Sequence, residues 1–322
     1  MLFDALGLAD RPAVTGTVGG DAKIGDTVTL TASVTTGDGG TATGTVSFSD
    51  GSAFLGTCSL TSGGACTFST AALTTGTHAL TALYSGDTLR YDSVSAALTQ
   101  TVNRAPTTTS LASSQNPAPY GASVTFTIAV TTSDGGAATG SVSLSEGTVA
   151  IGSCTLALSR CSVSTAALSG GSHTLTATYG GDANHTGSVS AAYPQTVSAA
   201  ATTTTLTLSA TSISYGSPIT LMAAVTSSAA TGTVTFLDGT TGIGTCSLSG
   251  GSCSATTSVL TGGSHSITAR YGGDTNYAAS TSAATAVTVA RVTSSLSLSG
   301  GGSTSTYGDT VTFTVAATPS TA

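Results

Sequence analysis

Apolar and hydroxyl side chains alternate along most of this chain. The segments TVTLTASV, GTVSFSD and THALTALY place their apolar residues at every second position, mostly with threonine or serine between them. A strand turns successive side chains to opposite sides, so a period of two predicts half-buried strands with one apolar face. The residues predicted to lie on that face are Val28, Leu30, Ala32, Val34, Val46, Phe48, His78, Leu80, Ala82 and Tyr84.

The same order of segments occurs three times. The copies are residues 43–87, 139–182 and 231–274, and each runs from T-G-[TS]-V-[ST] through a cysteine pair and a histidine to Y-[GS]-G-D. A repeat of about 90 residues is too long for a solenoid and suits a small independent domain. The chain is therefore predicted to be a row of modules.

Each unit contains about seven short strands marked off by turn signals such as Asp50-Gly51, the spacing typical of an immunoglobulin-like sandwich. We predict an all-β chain of tandem immunoglobulin-like β-sandwich modules in an elongated array, because linkers such as NRAP and ARV are short. The predicted bounds are 1–10 for a lead segment, 11–103, 104–198 and 199–290 for modules one to three, and 291–322 for a partial fourth module with opening strands only.

The units resemble the bacterial Ig-like repeat that is often found in tandem in large surface and secreted proteins. The resemblance rests on four motifs in fixed order, Y-G-x-x-[VI]-T-[LF], T-G-[TS]-V-[ST]-[FL], L-x-x-G-x-H-x-[LI]-T-A and Y-x-G-D, and covers the chain from module one onward. It implies a stalk or spacer in a cell-surface protein, commonly an adhesin-like one. The cysteine pairs are a variation on the family's pattern.

Composition argues against two classes of function. Charged residues make up 7% of the chain, the net charge is -7, and Lys23 is the only lysine. Nucleic-acid binding needs clustered Lys and Arg, so we expect no nucleic-acid partner. Thr, Ser and Gly interrupt every apolar run before the roughly 18 residues of a membrane span, so none is expected. The first residues, MLFDALGLADRPAV, do not form a recognisable secretion signal.

Six cysteines form one local pair per module, which predicts three disulfides and an oxidising, extracellular or cell-surface location. Each pair is predicted to join adjacent strands of one hairpin. In CSLSGGSC, Leu248 would lie opposite Gly251 and Ser249-Gly250 would turn, whereas CTLALSRC has no glycine, so its register is open. The alternative is a metal site of both cysteines and His265 in module three, which lacks a fourth ligand. The pairs are Cys58 with Cys66, Cys154 with Cys161, and Cys246 with Cys253.

One histidine and one tyrosine recur at the two ends of the same strand. A catalytic base would need a nucleophile nearby, and only Thr, Ser and a distant Asp recur around these histidines. We therefore predict structural side chains, with each histidine bonded to a turn backbone, and a non-enzymatic protein with no cofactor. The residues are His78, His173 and His265, with Tyr84, Tyr179 and Tyr271. His185 occurs once and is expected to be exposed to solvent.

The aspartates of the Y-x-G-D motif are predicted to make ordinary turns through side-chain bonds to the backbone. Calcium at the module joints is an alternative, although each loop offers few of the 6 to 8 oxygens that calcium binds. The segment Asn184-His185-Thr186 is also an N-glycosylation sequon. The aspartates are Asp87, Asp182 and Asp274, with Asn184 and Asn276 two residues after the last two.

Three functional hypotheses follow. The first is a non-enzymatic structural stalk whose partners are the neighbouring modules of the same chain. The second is a subunit of an extracellular filament, in which copies of the chain pair through the incomplete fourth module. The third is a glycan-binding module that uses exposed aromatic residues, for which the candidates are Tyr91, Tyr193 and Tyr277.

Overall fold

The computed structural model describes residues 13–18 and 20–319, with the side chains of residues 20–318. The lead segment assigned to residues 1–10 lies outside the described residues. The chain forms two compact units, the first comprising Met1–Ser114, Val124–Thr165 and Thr174–Pro194, and the second comprising Gln115–Ser123, Ala166–His173 and Gln195–Ala322. Because the division falls within the second module, each joint between successive modules lies inside one unit.

Module one is built only from strands in its described residues. Seven strands have six or more residues and two have two, in agreement with the seven strands expected from the turn spacing. The strands are β1 (Ala13–Val18), β2 (Ala22–Lys23), β3 (Val28–Thr35), β4 (Thr45–Asp50), β5 (Ala53–Ser59), β6 (Ala65–Thr70), β7 (Gly76–Tyr84), β8 (Ser93–Val94) and β9 (Leu98–Asn103).

Modules two and three repeat this order of elements. Module two contains β10 (Thr107–Ser113), β11 (Ala118–Pro119), β12 (Val124–Thr132), β13 (Ser141–Glu146), β14 (Val149–Thr155), β15 (Arg160–Thr165), β16 (Gly171–Tyr179), β17 (Ser188–Val189) and β18 (Tyr193–Ser198). Module three contains β19 (Thr204–Leu208), β20 (Ser212–Ser214), β21 (Ile219–Val225), β22 (Thr233–Asp238), β23 (Thr241–Ser247), β24 (Ser252–Thr257), β25 (Gly263–Tyr271), β26 (Ser280–Thr281) and β27 (Thr285–Ala290).

Each module is a sandwich of two sheets. In module one the smaller sheet has the order β1-β3-β6, and the larger has the order β2-β9-β7-β4-β5 with β8 beside β7. The chain enters in the smaller sheet and crosses to the larger one, where β2 runs parallel to β9. Modules two and three have the same strand order. The all-β, immunoglobulin-like architecture expected from the sequence is confirmed.

The alternating residues form the core as predicted. Burial alternates along β3 and along β7, with the threonines of β3 on the outer side. Tyr84 and Val46 are fully buried, and the corresponding tyrosines, Tyr179 and Tyr271, are at most 1% exposed. Period-two patterning thus places each apolar face between the two sheets.

The cysteine strands differ from the expected hairpin. All three predicted disulfides are present. However, β5 pairs with β4 in the larger sheet, and β6 pairs with β3 in the smaller sheet. The Cys58–Cys66 bond therefore ties the edges of two facing sheets, and the expectation of adjacent strands in one hairpin was wrong. A tight turn joins the strands locally, but each pairs with a different neighbour.

The predicted position of the turn in module three was also wrong by one residue. Ser249 bridges Ser252, so Gly250 and Gly251 form the turn, both with positive φ. In module two the bridge joins Ala157 to Arg160. Leu158 and Ser159 there adopt φ of 49° and 61°, a left-handed conformation that glycine adopts without strain.

The last described strands form a separate two-stranded sheet. β28 (Ser294–Gly300) pairs antiparallel with β29 (Phe313–Pro319). Their pairing resembles that of β19 with β21 in module three. Leu296, Leu298, Phe313 and Val315 are each more than half exposed. The module bounds themselves stay a prediction.

Candidate functional site at the module joints

Two loops and one linker residue form each joint between modules. We call the loop that follows the buried tyrosine the GD loop; it comprises residues 85–91, 180–186 and 272–278. The loop before the recurrent histidine is the receiving loop, residues 73–76, 168–171 and 260–263. At both described joints, the GD loop of one module contacts the receiving loop and linker of the module before it.

At the first joint, the linker residue Ala105 is fully buried and bridges the GD loop of module two. Its amide donates to the carbonyl oxygen of Asn184 at 2.8 Å, and its carbonyl accepts from the amide of Thr186 at 2.9 Å. The hydroxyl of Thr75, in the receiving loop of module one, lies 3.1 Å from the carbonyl of Ala183 and 3.3 Å from Oδ1 of Asn184. Backbone and side-chain bonds thus join the two modules.

The second joint repeats this arrangement. Ala200 donates to the carbonyl of Asn276 and accepts from the amide of Ala278, both at 2.8 Å. The amide of Gly170 donates to Oδ1 of Asn276 at 2.8 Å. Glycine replaces the threonine of the first joint, so here the backbone supplies the bond to the asparagine.

Steric fit and an aromatic contact complete the second joint. A Cβ atom on Gly170 would overlap the carbonyl oxygen of Thr275, so only glycine allows this approach. The rings of Tyr120 and Tyr277 meet edge to face, with centroids 5.5 Å apart. Such geometry is favourable for aromatic pairs.

The aspartate of each GD loop fixes the loop to its own module. Oδ2 of Asp274 accepts from the amide and hydroxyl of Thr231, each at 2.8 Å. Its Oδ1 accepts from the amides of Asn276 and Tyr277. Burial would raise the pKa of Asp274, but these hydrogen bonds outweigh it and lower the pKa to about 2.

The same anchoring occurs in the other two GD loops. The amides of Leu89 and Thr43 lower the pKa of Asp87 well below its usual range. At Asp182, burial acts in the opposite direction, but bonds from His185, Thr139 and Asn184 still lower its pKa strongly. In all three loops, protein donors occupy both carboxylate oxygens.

The recurrent histidine contacts the backbone of the receiving loop. In module one, Nε2 of His78 lies 2.7 Å from the carbonyl of Thr74, and Nδ1 lies 2.7 Å from Oδ2 of Asp50. His265 makes the matching bonds to Thr261 and Asp238 at 2.7 and 2.6 Å. The hydrogen bonds that the histidines make to these aspartates are the main cause that raises the pKa of each histidine.

Module two has a glutamate where modules one and three have this aspartate. Nε2 of His173 lies 2.8 Å from the carbonyl of Ser169. Glu146 occupies the position of the aspartate and accepts from the amide of Thr174. These bonds to turn backbone are the geometry that the sequence suggested for the histidines, whose structural role stays a prediction.

The buried tyrosines lie beneath the GD loops. The hydroxyl of Tyr84 donates to the carbonyl of Thr43 at 2.8 Å. Burial raises the pKa of Tyr84, Tyr179 and Tyr271 to about 12, with a further contribution from the nearby aspartate of each loop. Their phenol groups therefore stay neutral at physiological pH.

The structure bears on three predictions made from the sequence: the exposure of His185, the metal site and the glycan-binding tyrosines. The expectation that His185 is exposed was wrong: it is 4% exposed and lies in the first joint. The cysteines proposed as metal ligands are bonded to each other, and no group of three potential metal ligands occurs among the described residues. Of the three tyrosines considered for glycans, Tyr91 is exposed, whereas Tyr277 packs in the second joint.

The sequence did not reveal which residues meet across a joint. Thr75, Ala105, Gly170 and Ala200 occupy ordinary loop and linker positions, and nothing in their spacing marks them. The asparagines gave a weak signal, since Asn184 and Asn276 recur two residues after the motif aspartate. Within the described part of the chain, no helix is long and apolar enough to cross a membrane.

Comparison with known proteins gives a family match. Residues 14–103, 111–198 and 206–290 each match the bacterial Ig-like domain (group 3). No curated protein matches the chain.

Solved structures with similar chains include three multidomain proteins. An ICAM-5 D1–D4 ectodomain fragment is 12% identical, with 90% of this chain and 79% of that one covered and a TM-score of 0.41. The ectodomain of mouse nectin-like molecule 4 is 12% identical, covers 85% and 98%, and has a TM-score of 0.31. Three N-terminal domains of the bacteriophage RB49 capsid protein Hoc are 14% identical, cover 88% and 100%, and have a TM-score of 0.29.

Proposed function

Because the chain belongs to the bacterial Ig-like domain (group 3) family, we propose that it is a non-enzymatic spacer in an extracellular or cell-surface, adhesin-like protein. In this proposal, each module is fixed to the next so that the row holds another part of the protein at a distance. Its immediate partners are the neighbouring modules of the same chain.

The observation that carries the proposal is the repeated joint. Both linker alanines make the same two backbone bonds to the following GD loop, and an asparagine of that loop contacts the receiving loop each time. A flexible tether would need none of these bonds. Side chains that could act on a substrate are instead used to fix loops, as with the histidines and the aspartates.

Small-angle X-ray scattering of the full chain tests the spacer proposal. Three modules with strands of six to eight residues give a length of about 100 to 120 Å when placed end to end. We expect a monomer with a maximum dimension at or above this length. A compact scattering profile would contradict the proposal, and concentration-dependent fibres would favour the filament hypothesis.

The disulfides support an oxidising location. Such bonds form and persist in secreted proteins and at cell surfaces, whereas the cytosol keeps thiols reduced. We expect mass spectrometry of the protein isolated from its host without reductant to find all three bonds. Free thiols at all six cysteines would refute the extracellular location.

A further inference from the structure

The C-terminal end of module three repeats the receiving groups of module two. The receiving loops of these two modules read LSGG and LTGG, so Gly262 is the counterpart of Gly170. Both modules also have a tyrosine in the Y-G motif, where Tyr215 corresponds to Tyr120. The backbone holds these tyrosines alike, because the amide of each donates to the carbonyl of the last residue of β18 or β27. Two of the groups that form the second joint therefore recur one module further along.

The linker after module three also matches the linker after module two. Val292 is the second residue after β27, as Ala200 is the second residue after β18. β28 and β29 follow Val292 directly and pair antiparallel, as β19 and β21 do after Ala200. The opening strands of a further module thus begin at the place where module three begins after module two.

The second joint shows what kind of loop such an end receives. The amide of Gly170 donates to Oδ1 of Asn276, and a Cβ atom on Gly170 would overlap the carbonyl oxygen of Thr275. The ring of Tyr120 meets the ring of Tyr277 edge to face. A glycine and a tyrosine on the receiving side thus fit a GD loop with an asparagine and a tyrosine after its aspartate.

The same receiving groups are accessible at the end of module three. Tyr215 is 55% exposed, whereas Tyr120 is half-buried in the second joint. Among the described residues, none accepts a hydrogen bond from the amide of Gly262. The exposed side chain of Arg291 lies over Gly262, with Cγ 2.6 Å from the place of a Cβ atom. This side chain is long and flexible, so it can turn aside for a loop.

We propose that this end, formed by Tyr215, Gly262 and Val292, is a docking site for the GD loop of a further Ig-like module. The site selects a loop that has asparagine two residues, and tyrosine three residues, after the motif aspartate. Module three itself carries such a loop, with Asn276 and Tyr277. The inference deepens the proposed spacer function and rests on it, because it names the module that the row accepts next.

A second copy of this chain does not fit the site. Its GD loop outside the two described joints is that of module one, which has Leu89 and Arg90 at the two selecting positions. Leucine offers no acceptor to the amide of Gly262. Arg90 is bonded to two aspartates of its own module, so it is not available to Tyr215. The two ends of the chain therefore do not match each other, in agreement with the monomer expected of a spacer.

Two extended chains supply the partner for a test. In the first, residues 1–322 are followed by a copy of residues 231–290, which adds the remaining strands and a GD loop to β28 and β29. In the second, residues 1–290 are followed by a copy of residues 199–290, which is a complete module three with its own linker. The second chain keeps the test decisive if the composite module of the first does not fold.

Amide hydrogen exchange reports docking in both extended chains. We expect the amide of Gly262 to become about tenfold better protected than in the unextended chain, because it gains the asparagine oxygen as an acceptor. In the first chain, the amide of Val292 should gain similar protection from a backbone carbonyl. The amides of Gly170 and Ala200 report the second joint in the same sample.

Three variants of the extended chains separate the docking groups. Gly262→Ala is expected to remove the added protection of the linker amide, because its Cβ would overlap the incoming loop as at Gly170. Asn276→Leu, made only in the added copy, copies Leu89 and should lower the protection of the Gly262 amide about fivefold. Tyr215→Ala should reduce it less, since the two backbone bonds of the linker remain.

Three results would contradict these expectations. If the amide of Gly262 gained no protection in either extended chain, or the linker amide stayed protected in Gly262→Ala, the inference would be overturned and the spacer proposal would stand. Protection that appears in the unextended chain as its concentration rises would assign this end to a second copy, and would also overturn it. If the amides of Gly170 and Ala200 were unprotected in every chain, the proposed function itself would fail.

Discussion

At the residue scale, the tight turns between the cysteine strands adopt the same positive-φ conformation with different residues and therefore with different conformational strain. Gly250 and Gly251 adopt positive φ in module three, where glycine has no Cβ to obstruct the carbonyl. Leu158 and Ser159 adopt the same region in module two. Leu158 is 88% exposed, so no packing compensates for its strain.

We predict that Leu158→Gly stabilises module two by about 0.5 to 1 kcal/mol, because relief of the left-handed strain exceeds the added freedom of the unfolded chain. The matched change, Gly250→Ala, should destabilise module three by about 1 kcal/mol. Chemical denaturation followed by module-specific NMR signals would measure both. Loss of stability in Leu158→Gly would contradict the strain argument.

At a second pair of matching glycines, substitution by alanine is expected to affect stability differently in modules one and three. A Cβ on Gly56 would overlap the ring of Phe68, which is stacked on Phe48 with centroids 5.7 Å apart. The nearest atom to a Cβ on Gly244, the matching residue of module three, is the Cβ of Ala255 at 3.6 Å. Gly56→Ala should therefore cost about 1 to 3 kcal/mol, and Gly244→Ala should be neutral or slightly stabilising. Equal effects in thermal melts would contradict this packing account.

The histidine and aspartate pairs predict a pH dependence with a definite sign. The hydrogen bond that His78 makes to Asp50 raises the pKa of His78, so the folded state binds the proton more tightly than the unfolded state. The resulting stability is present below about pH 6.5 and is lost as pH rises through the folded-state pKa. We expect the NMR titration of His78 to shift to lower pH in Asp50→Asn. An unchanged titration would exclude the pair as its cause.

Residue types were predicted better than their partners. Alternation identified the buried tyrosines and the core faces, because burial follows directly from the period of the strand. It missed that His185 is buried between Asp134 and Asp182, since those acids come from a loop some fifty residues away and from its own turn. Spacing along the chain carries no signal for such a contact.

At the element scale, the local sequence predicts the strands but not the sheet to which each strand belongs. A tight turn joins β5 and β6, so the sequence predicts that they pair as one hairpin. Their sheets depend on β4 and β3, which pair with them over longer separations in the chain. The disulfide therefore links the two sheets, and the prediction of a hairpin did not include this link.

This placement predicts what loss of a disulfide does. Cys246 and Cys253 are seven residues apart, so the bond restricts the unfolded chain only modestly, by about 2.5 kcal/mol in the chain-entropy estimate. Cys246→Ser with Cys253→Ser should lower the stability of module three by up to this amount and leave the sandwich folded. Complete unfolding at room temperature would show that the disulfide is required for the fold.

At the scale of the whole molecule, the joints decide whether the modules work together. The family motifs predicted the modules and their order, but the joints depend on contacts between residues of different modules. Gly170 and Asn276 are more than one hundred residues apart and meet only after both modules have folded. The sequence indicates only that the linkers are short, whereas in the structure Ala105 and Ala200 each take part in two backbone hydrogen bonds.

The most direct test of these joints is residual dipolar coupling across the second joint of the full chain, in the wild type and in Gly170→Ala. We predict that modules two and three share one alignment tensor in the wild type. In Gly170→Ala, overlap with Thr275 should open the joint and give the modules different tensors. Gly262→Ala is the control, because the close contact of its Cβ would be with Cγ of the flexible Arg291 side chain at 2.6 Å, while the Cα of Arg291 lies at an ordinary contact distance of 3.6 Å. Different tensors already in the wild type, or one shared tensor in Gly170→Ala, would contradict the claim that the joint contacts hold successive modules in place.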